Sequence, residues 1–260
     1  EDYKCIFEDA GYDYEYVKWI EDVCESHGAV CDGQMGIANA GTLSEGSTFS
    51  FYFGHHMTTV EGGMVSTNNE ELYQIMRAKR SHGMARELDK KYYEQAMEKH
   101  PNIHPMFLFI TDGYNFRNSE IYAVLGKSQL KRLNDSNAQR RKNYTRFLEI
   151  ISEYRDYVHS DLIEDGVSSF CLQFICKTET IRDKLEKYLQ ESGVETRPLC
   201  SGNLLRQPFL TGNGYKPEDF PNAEYLHKHG FFIGNNHLIT DEDFNRLHSD
   251  IDRACKRMSE

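Results

Sequence analysis

The sequence predicts an α/β fold in two domains, and three observations carry that expectation. Strand-like and helix-like stretches alternate along the whole chain, the pattern of sheets flanked by helices. The composition is that of a folded protein, 39% hydrophobic, 27% charged and 12% aromatic over 260 residues, which excludes disorder, collagen and coiled coil. For this length, size scaling puts roughly 73% of the unfolded surface inside. The pattern also changes character near residue 140, so a boundary is placed there.

Taken in order, residues 14–21 read as a helix end running into a short strand that finishes at Asp22. Residues 48–53, Thr-Phe-Ser-Phe-Tyr-Phe, are aromatic and β-prone. Met64 to Thr67 is a second strand after the Gly62–Gly63 turn. Asn69 to Lys79 is helical, capped by Asn68 or Asn69, with Leu72, Ile75, Met76 and Lys79 on one face. Glu87 to Lys99 is a charged helix stopped by Pro101. Asn118 to Leu133 is a long helix with Ile121, Val124, Leu125 and Leu130 expected inward. A basic stretch from Asn134 continues as a helix to about Tyr154. Ser168 to Cys176 is a strand, and Thr180 to Glu191 an amphipathic helix closed by Gly193. Val194 to Arg197 is a short strand, and Thr240 with Asp243 opens the last helix as a capping box.

Thirty Lys and Arg against 41 Asp and Glu give a net charge of −11. Such a surface argues against nucleic-acid binding, which needs clustered cations. The longest apolar run, Met106 to Ile110, is far short of the roughly 20 residues of a membrane span. The seven cysteines, at 5, 24, 31, 171, 176, 200 and 255, include no Cys-x-x-Cys pair. Reduced thiols in a cytoplasmic protein are expected, with no metal site.

The densest chemistry lies between Glu21 and Gly63. It reads Glu-Asp-Val-Cys-Glu-Ser-His-Gly-Ala at 21–29 and Phe-Ser-Phe-Tyr-Phe-Gly-His-His-Met-Thr-Thr-Val-Glu-Gly-Gly at 49–63. These stretches resemble the cofactor-binding core of the DegT/StrS-type sugar aminotransferases. Those are fold-type I enzymes that use pyridoxal phosphate on nucleotide-linked keto sugars. Their usual form is a strand ending in Glu-Asp, then Phe-Ser-Phe-Tyr-Pro-x-Lys-x-x-Thr-x-Gly-Glu-Gly-Gly. The resemblance continues through Arg80-Ser-His-Gly-Met84, Gly113-Tyr-Asn-Phe-Arg117, Phe220-Pro-Asn-Ala-Glu-Tyr225 and Gly230-Phe-Phe-Ile-Gly-Asn235. It implies a large domain with a mostly parallel sheet flanked by helices, of which residues 1–140 are the latter part. Residues 141–260 would be the small C-terminal α/β domain. It also implies that the N-terminal part of the large domain is missing from this sequence.

The departure from the pattern is chemical. The position of the cofactor-linking Lys is His55, and no Lys occurs between Lys18 and Lys79. Imidazole has no primary amine, so pyridoxal or pyridoxamine phosphate must be held non-covalently. Histidine still exchanges a proton near neutrality, its reference pKa being ~6.5. A base without an anchor resembles the sugar 3-dehydratase offshoot of the family. One branch acts on a CDP-linked sugar and needs an iron–sulfur cluster held by cysteines after the His. No Cys lies between Cys31 and Cys171, so no cluster is expected. Phe-Gly-His-His-Met with Glu-Ser-His-Gly-Ala resembles the cluster-free branch, which acts on a GDP-linked 4-keto-6-deoxy sugar.

The resemblance assigns roles. His55 is the catalytic base. Asp22 faces the pyridine nitrogen, Glu25 lies by the phenolic oxygen, and Ser50 binds the cofactor phosphate. Asn115 reaches the phosphate of a neighbouring subunit's cofactor, so a homodimer is implied. His82 matches a histidine near the sugar; alternatively it is a helix-terminal His favoured by the dipole. Arg86 and Arg197 suit a diphosphate or an acceptor carboxylate, or are surface arginines. Phe107 caps the site from the partner chain, or packs in the core. His56 and Glu61 are read as structural. The implied reaction removes the C3 hydroxyl, releasing ammonia and a 3-deoxy-4-keto sugar, with glutamate regenerating the pyridoxamine form. The rival readings are a nucleotide-sugar aminotransferase and a non-catalytic homologue that binds cofactor or nucleotide sugar.

Overall fold

A computed structural model describes residues 18–259, apart from residues 34, 35, 211 and 213. The expected helix end at 14–17 lies outside the described residues. The chain divides between Lys131 and Arg132 into two compact units.

In the first unit, β1 (Ile20–Asp22) pairs in parallel with β4 (Gly46–Ser50), and Asp22 lies opposite Thr48. Between them, β2 (Val30–Gly33) and β3 (Gly36–Asn39) form an antiparallel hairpin that the sequence pattern does not announce. β5 (Gly63–Ser66) runs antiparallel to β4 on its other side. α1 (Glu70–Arg80) is capped by the Asn69 side chain, which accepts from the Leu72 amide at 3.0 Å. Its first turn carries Glu70 and Glu71 and its last Arg77, Lys79 and Arg80, each complementing the helix dipole.

The charged helix starts later than expected, at α2 (Lys90–Lys99), after a 3-10 turn at Ala85–Glu87. Asp89 is the cause: its amide donates to Gln74 Oε1 (3.0 Å) and its carboxylate takes Gln74 Nε2 (2.8 Å) and Arg77. Those bonds hold Asp89 extended at the cap position.

α3 (Glu120–Leu130) corrects an expectation. Ile121, Val124 and Leu130 are 72%, 68% and 61% exposed, and Leu125 is exposed too. Gly126 makes the helix's close approach, to Thr59 and Met57. The described residues of the unit therefore leave these apolar side chains largely uncovered. Among the described residues of this unit, the buried apolar set is only Val23, Met57, Ala78, Ala85 and Leu108.

The second unit has a core of its own. It comprises α4 (Leu133–Ser152), β6 (Cys171–Ile175), α5 (Glu179–Glu191), β7 (Thr196–Pro198), α6 (Pro221–His229), β8 (Gly230–Gly234) and α7 (Asp241–Ser259). β8 lies between β6 and β7, antiparallel to both. Phe174 stacks on Phe231 across the sheet (4.8 Å) and meets Phe147 of α4 edge-on (5.0 Å). Leu185, Leu189, Phe244, Leu247 and Ile251 close the cluster. α7 carries its capping box: Thr240 N donates to Asp243 Oδ2 (2.9 Å) and Asp243 N to Thr240 Oγ1 (3.2 Å).

The connection from β7 to α6 is tied down by Glu224. Its carboxylate accepts from Arg206 Nε (2.9 Å), Asn203 Nδ2 (3.1 Å) and Lys228 Nζ (3.1 Å). Arg206 foremost, then Lys228 and Asn203, hold its carboxyl down at about 2 against an ordinary 4.5. A carboxyl lowered by folding stabilises fully above its unfolded pKa and loses that contribution as pH falls through the folded one. The stabilisation should therefore fade between pH 4.5 and about 2. Glu224→Gln should cost on the order of 1 kcal/mol at neutral pH, because solvent reaches the pairs. Thermal unfolding from pH 6 to 2.5 checks this, and an equally steep acid loss in the variant would refute it.

Candidate active site

Asp22 and Ser50 end two adjacent parallel strands, β1 and β4. Ligands in α/β sheets bind beyond such carboxyl ends. Asp22 Oδ1 accepts from the Cys24 amide (3.1 Å) and from Thr48 Oγ1 (3.2 Å), its partner across the ladder. The Cys24 thiol and amide, then Thr48 and the nearby His55, hold the Asp22 carboxyl below the usual range. It is ionised at neutral pH. Glu21 points to the other side of the strand and accepts from Gly41 N (2.8 Å), Leu43 N (2.9 Å), Ser44 Oγ (3.1 Å) and Ser47 Oγ (3.4 Å). Burial pushes its carboxyl up, but these donors outweigh that and leave it lowered. The clamp fixes the loop that leads into β4.

Beyond Ser50 the chain makes a tight turn. Ser50 Oγ accepts from the Tyr52 amide (3.2 Å), and the His55 amide donates to Tyr52 O (3.1 Å). The His55 ring stands edge-on to Tyr52 at 5.7 Å. Its Nε2 lies 3.8 Å from Glu25 Oε1. The structure thus gathers Asp22, Glu25, Ser50 and His55 into one neighbourhood.

Two histidines that the sequence reading did not assign to the site lie behind His55. His56 turns inward and stacks on His27 at 5.5 Å, and His27 also contacts Phe49 and Phe51. Both histidines are buried. Burial first, and then the neighbouring His55, push His27 down to about 4, so it stays neutral. The signal for His27 was its place in Glu-Ser-His-Gly-Ala, but its stacking partner is 29 positions away in sequence. In the turn that follows, Val60 is β-branched at φ 74°, a strained conformation that a glycine would relieve.

A second group forms between 79–88 and 107–117. His82 and Gly83 both have positive φ, 63° and 76°. A Cβ on Gly83 would sit 1.9 Å from Thr111 O, and one on Gly113 2.1 Å from Gly83 N. Only glycines allow this approach of two backbones. The His82 amide donates to Tyr114 O (2.7 Å), and Ser81 bridges to Asn115. His82 lies two residues past the end of α1. Asn115 Oδ1 accepts from Arg117 Nε (3.1 Å), a contact the sequence reading missed. Arg86 Nε is 3.7 Å from Glu87. Phe107 is 58% exposed while Leu108 is buried, so Leu108, not Phe107, packs inward. Arg197 lies in the second unit, on β7, exposed and 2.5 Å from Glu195.

Cys24, Cys31, Cys176 and Cys255 carry free thiols, and no His/Cys/Asp/Glu group suited to a metal occurs among the described residues. No helix among them is long and apolar enough to cross a membrane.

The fold and this site define a class. The family model of the DegT/DnrJ/EryC1/StrS aminotransferases matches residues 13–252, and the chain belongs to that family. Within it, the chain is 36% identical over 234 residues to the GDP-4-keto-6-deoxy-D-mannose 3-dehydratase of Escherichia coli O55:H7, covering 88% of this chain and 58% of the relative. Against the enzyme of the same name from Yersinia pseudotuberculosis it is 36% identical over 232 residues, with the same coverage. The solved E. coli GDP-4-keto-6-deoxy-D-mannose-3-dehydratase with bound hydrated PLP matches with a TM-score of 0.82 at 32% identity, over 96% of this chain and 64% of that one. A structure of GDP-4-keto-6-deoxymannose-3-dehydratase with a trapped PLP-glutamate geminal diamine matches with the same TM-score, identity and coverage. The chain spans about 58% of the length of these curated relatives. The architecture is the α/β fold of the PLP-dependent aminotransferases.

Proposed function

We propose that the protein removes the C3 hydroxyl of a GDP-linked 4-keto-6-deoxy sugar, using pyridoxamine phosphate that glutamate regenerates. The single observation that carries this is His55. It stands at the lysine position of the family motif, beside Glu25, next to an ionised Asp22, with no lysine from 19 to 78 to link a cofactor.

The donor set fits a pyridoxal-type group held without a covalent bond. Asp22 would hold the ring nitrogen protonated and Ser50 would donate to the phosphate. When bound, the cofactor supplies an amine for the sugar's ketone and a ring that accepts an electron pair. His55 supplies the proton chemistry: it takes a proton beside the ring and returns it to the leaving hydroxyl as water. His82, Arg86 and Arg197 are assigned to the nucleotide sugar or to glutamate. The strained backbone at His82 supports a working role there, since such strain collects at functional positions.

The site is completed by a second copy of the chain, which brings Asn115 to the phosphate and Phe107 over the site. The outward apolar side chains of the first unit support this: Phe107, Tyr114, Phe116, Ile121 and Val124 flank or follow Asn115. So many exposed apolar side chains close in sequence to Asn115 suit an interface. A cytoplasmic setting suits the free thiols of Cys24, Cys31, Cys176 and Cys255.

Incubation with pyridoxamine phosphate, GDP-4-keto-6-deoxymannose and glutamate tests the reading. Ammonia and a 3-deoxy-4-keto product are expected. An amino sugar instead would make it an aminotransferase, and no product would refute dehydration of this substrate.

A further inference from the structure

We infer that Glu25 is the charge partner of His55, a positioning residue that favours the protonated imidazole between its two proton transfers. The inference rests on the reading of His55 as the base, and it moves Glu25 from the cofactor's oxygen, where the resemblance puts it, to the histidine. His55 Nε2 faces Glu25 Oε1 at 3.8 Å, too long for a direct hydrogen bond but close enough for charge to act.

Among the described residues, two segments bring groups to His55. The turn after β1 supplies Asp22, Cys24, Glu25 and His27; the loop after β4 supplies Tyr52 and His56. Asp22 is ionised, but its Oδ1 is engaged by Cys24 and Thr48. His27 is kept neutral by burial and does not oppose a charge on His55. Cys24 is held as a thiol by burial and by Asp22. Tyr52 presents a ring edge. Glu25 is the carboxylate that the structure places against His55 Nε2. Its side chain is half exposed, so water weakens the attraction without removing it. The proton that enters at Nε2 leaves with the expelled hydroxyl, so the pair gains and loses one positive charge in each turnover.

Glu25→Gln keeps the shape and deletes the charge. Proton NMR of the histidine rings in cofactor-free protein reads the effect directly, with His55→Asn identifying the resonance. The His55 resonance should titrate at lower pH in Glu25→Gln than in the native protein, with a smaller change in Glu25→Asp. In loaded protein the acid limb of the pH–rate profile should move the same way while the plateau falls about 3- to 10-fold. A lost plateau with an unmoved limb would mark a merely structural role and overturn the inference. An unmoved midpoint with an altered spectrum of bound cofactor would return Glu25 to the cofactor. A moved midpoint in a protein that dehydrates nothing would keep the pairing and sink the proposed function instead.

Discussion

Replacing His55 by lysine should convert a dissociable cofactor into a covalently held one and suppress dehydration. The turn from Ser50 through Tyr52 fixes the His55 backbone, and the ring points toward Glu25. A lysine there would bring a primary amine to the place where the family carries one. Bound pyridoxal phosphate should then absorb in the visible and become irreversibly attached on borohydride reduction, which mass spectrometry of the intact chain detects. The native protein should lose its cofactor on gel filtration after the same treatment. His55→Asn removes the base without adding an amine. General acid–base catalysis contributes about 10²–10⁴-fold. A loss of that order is therefore expected in both the dehydration and the glutamate half-reaction, with cofactor binding retained. Turnover within a few-fold of wild type in the Asn variant would place the base elsewhere.

The residues gathered at the candidate site were legible because each sits at a strand end or a tight turn with its own local signal. Asp22 closes a short strand, Ser50 closes an aromatic one, and His55 breaks a long motif at its most informative position. The tuning contacts were not legible, because they are made across register or through stacking. Thr48 touches Asp22 only because β1 and β4 pair in parallel with those two residues opposite. His56 reads only as structural until it is seen stacked on His27. The Asp89 bonds that delay α2 depend on Gln74 and Arg77, a full helix earlier. α3 failed for a different reason. Periodicity reports that Ile121, Val124 and Leu125 want to be covered, but not by what. β8, Gly-Phe-Phe-Ile-Gly, went unassigned because glycines bound its short apolar run and no polar alternation marks it, although Phe231 lies at the centre of the second unit's core.

Asp22→Asn should cost about 10²–10³-fold in turnover while leaving the fold intact, as removal of one preorganised charge does in other sites. The amide oxygen of asparagine can still accept from the Cys24 amide and Thr48 hydroxyl, so the local geometry has no reason to collapse. What disappears is the negative charge. Those same donors hold the wild-type carboxyl below the usual carboxylate range, so its charge persists as pH falls to where an ordinary carboxyl would already be taking up its proton. Each pKa unit by which that charge favours a protonated ring nitrogen is worth about 1.4 kcal/mol. A neutral ring accepts an electron pair poorly, and the step that suffers is proton removal by His55. An N-methylated cofactor, cationic without help from any carboxylate, separates this role from simple binding. It should restore much of the lost rate to Asp22→Asn and do little for the native protein. Equal failure of both cofactors in the variant would show that Asp22 positions the ring rather than charging it, and undiminished turnover with the natural cofactor would remove Asp22 from the chemistry altogether.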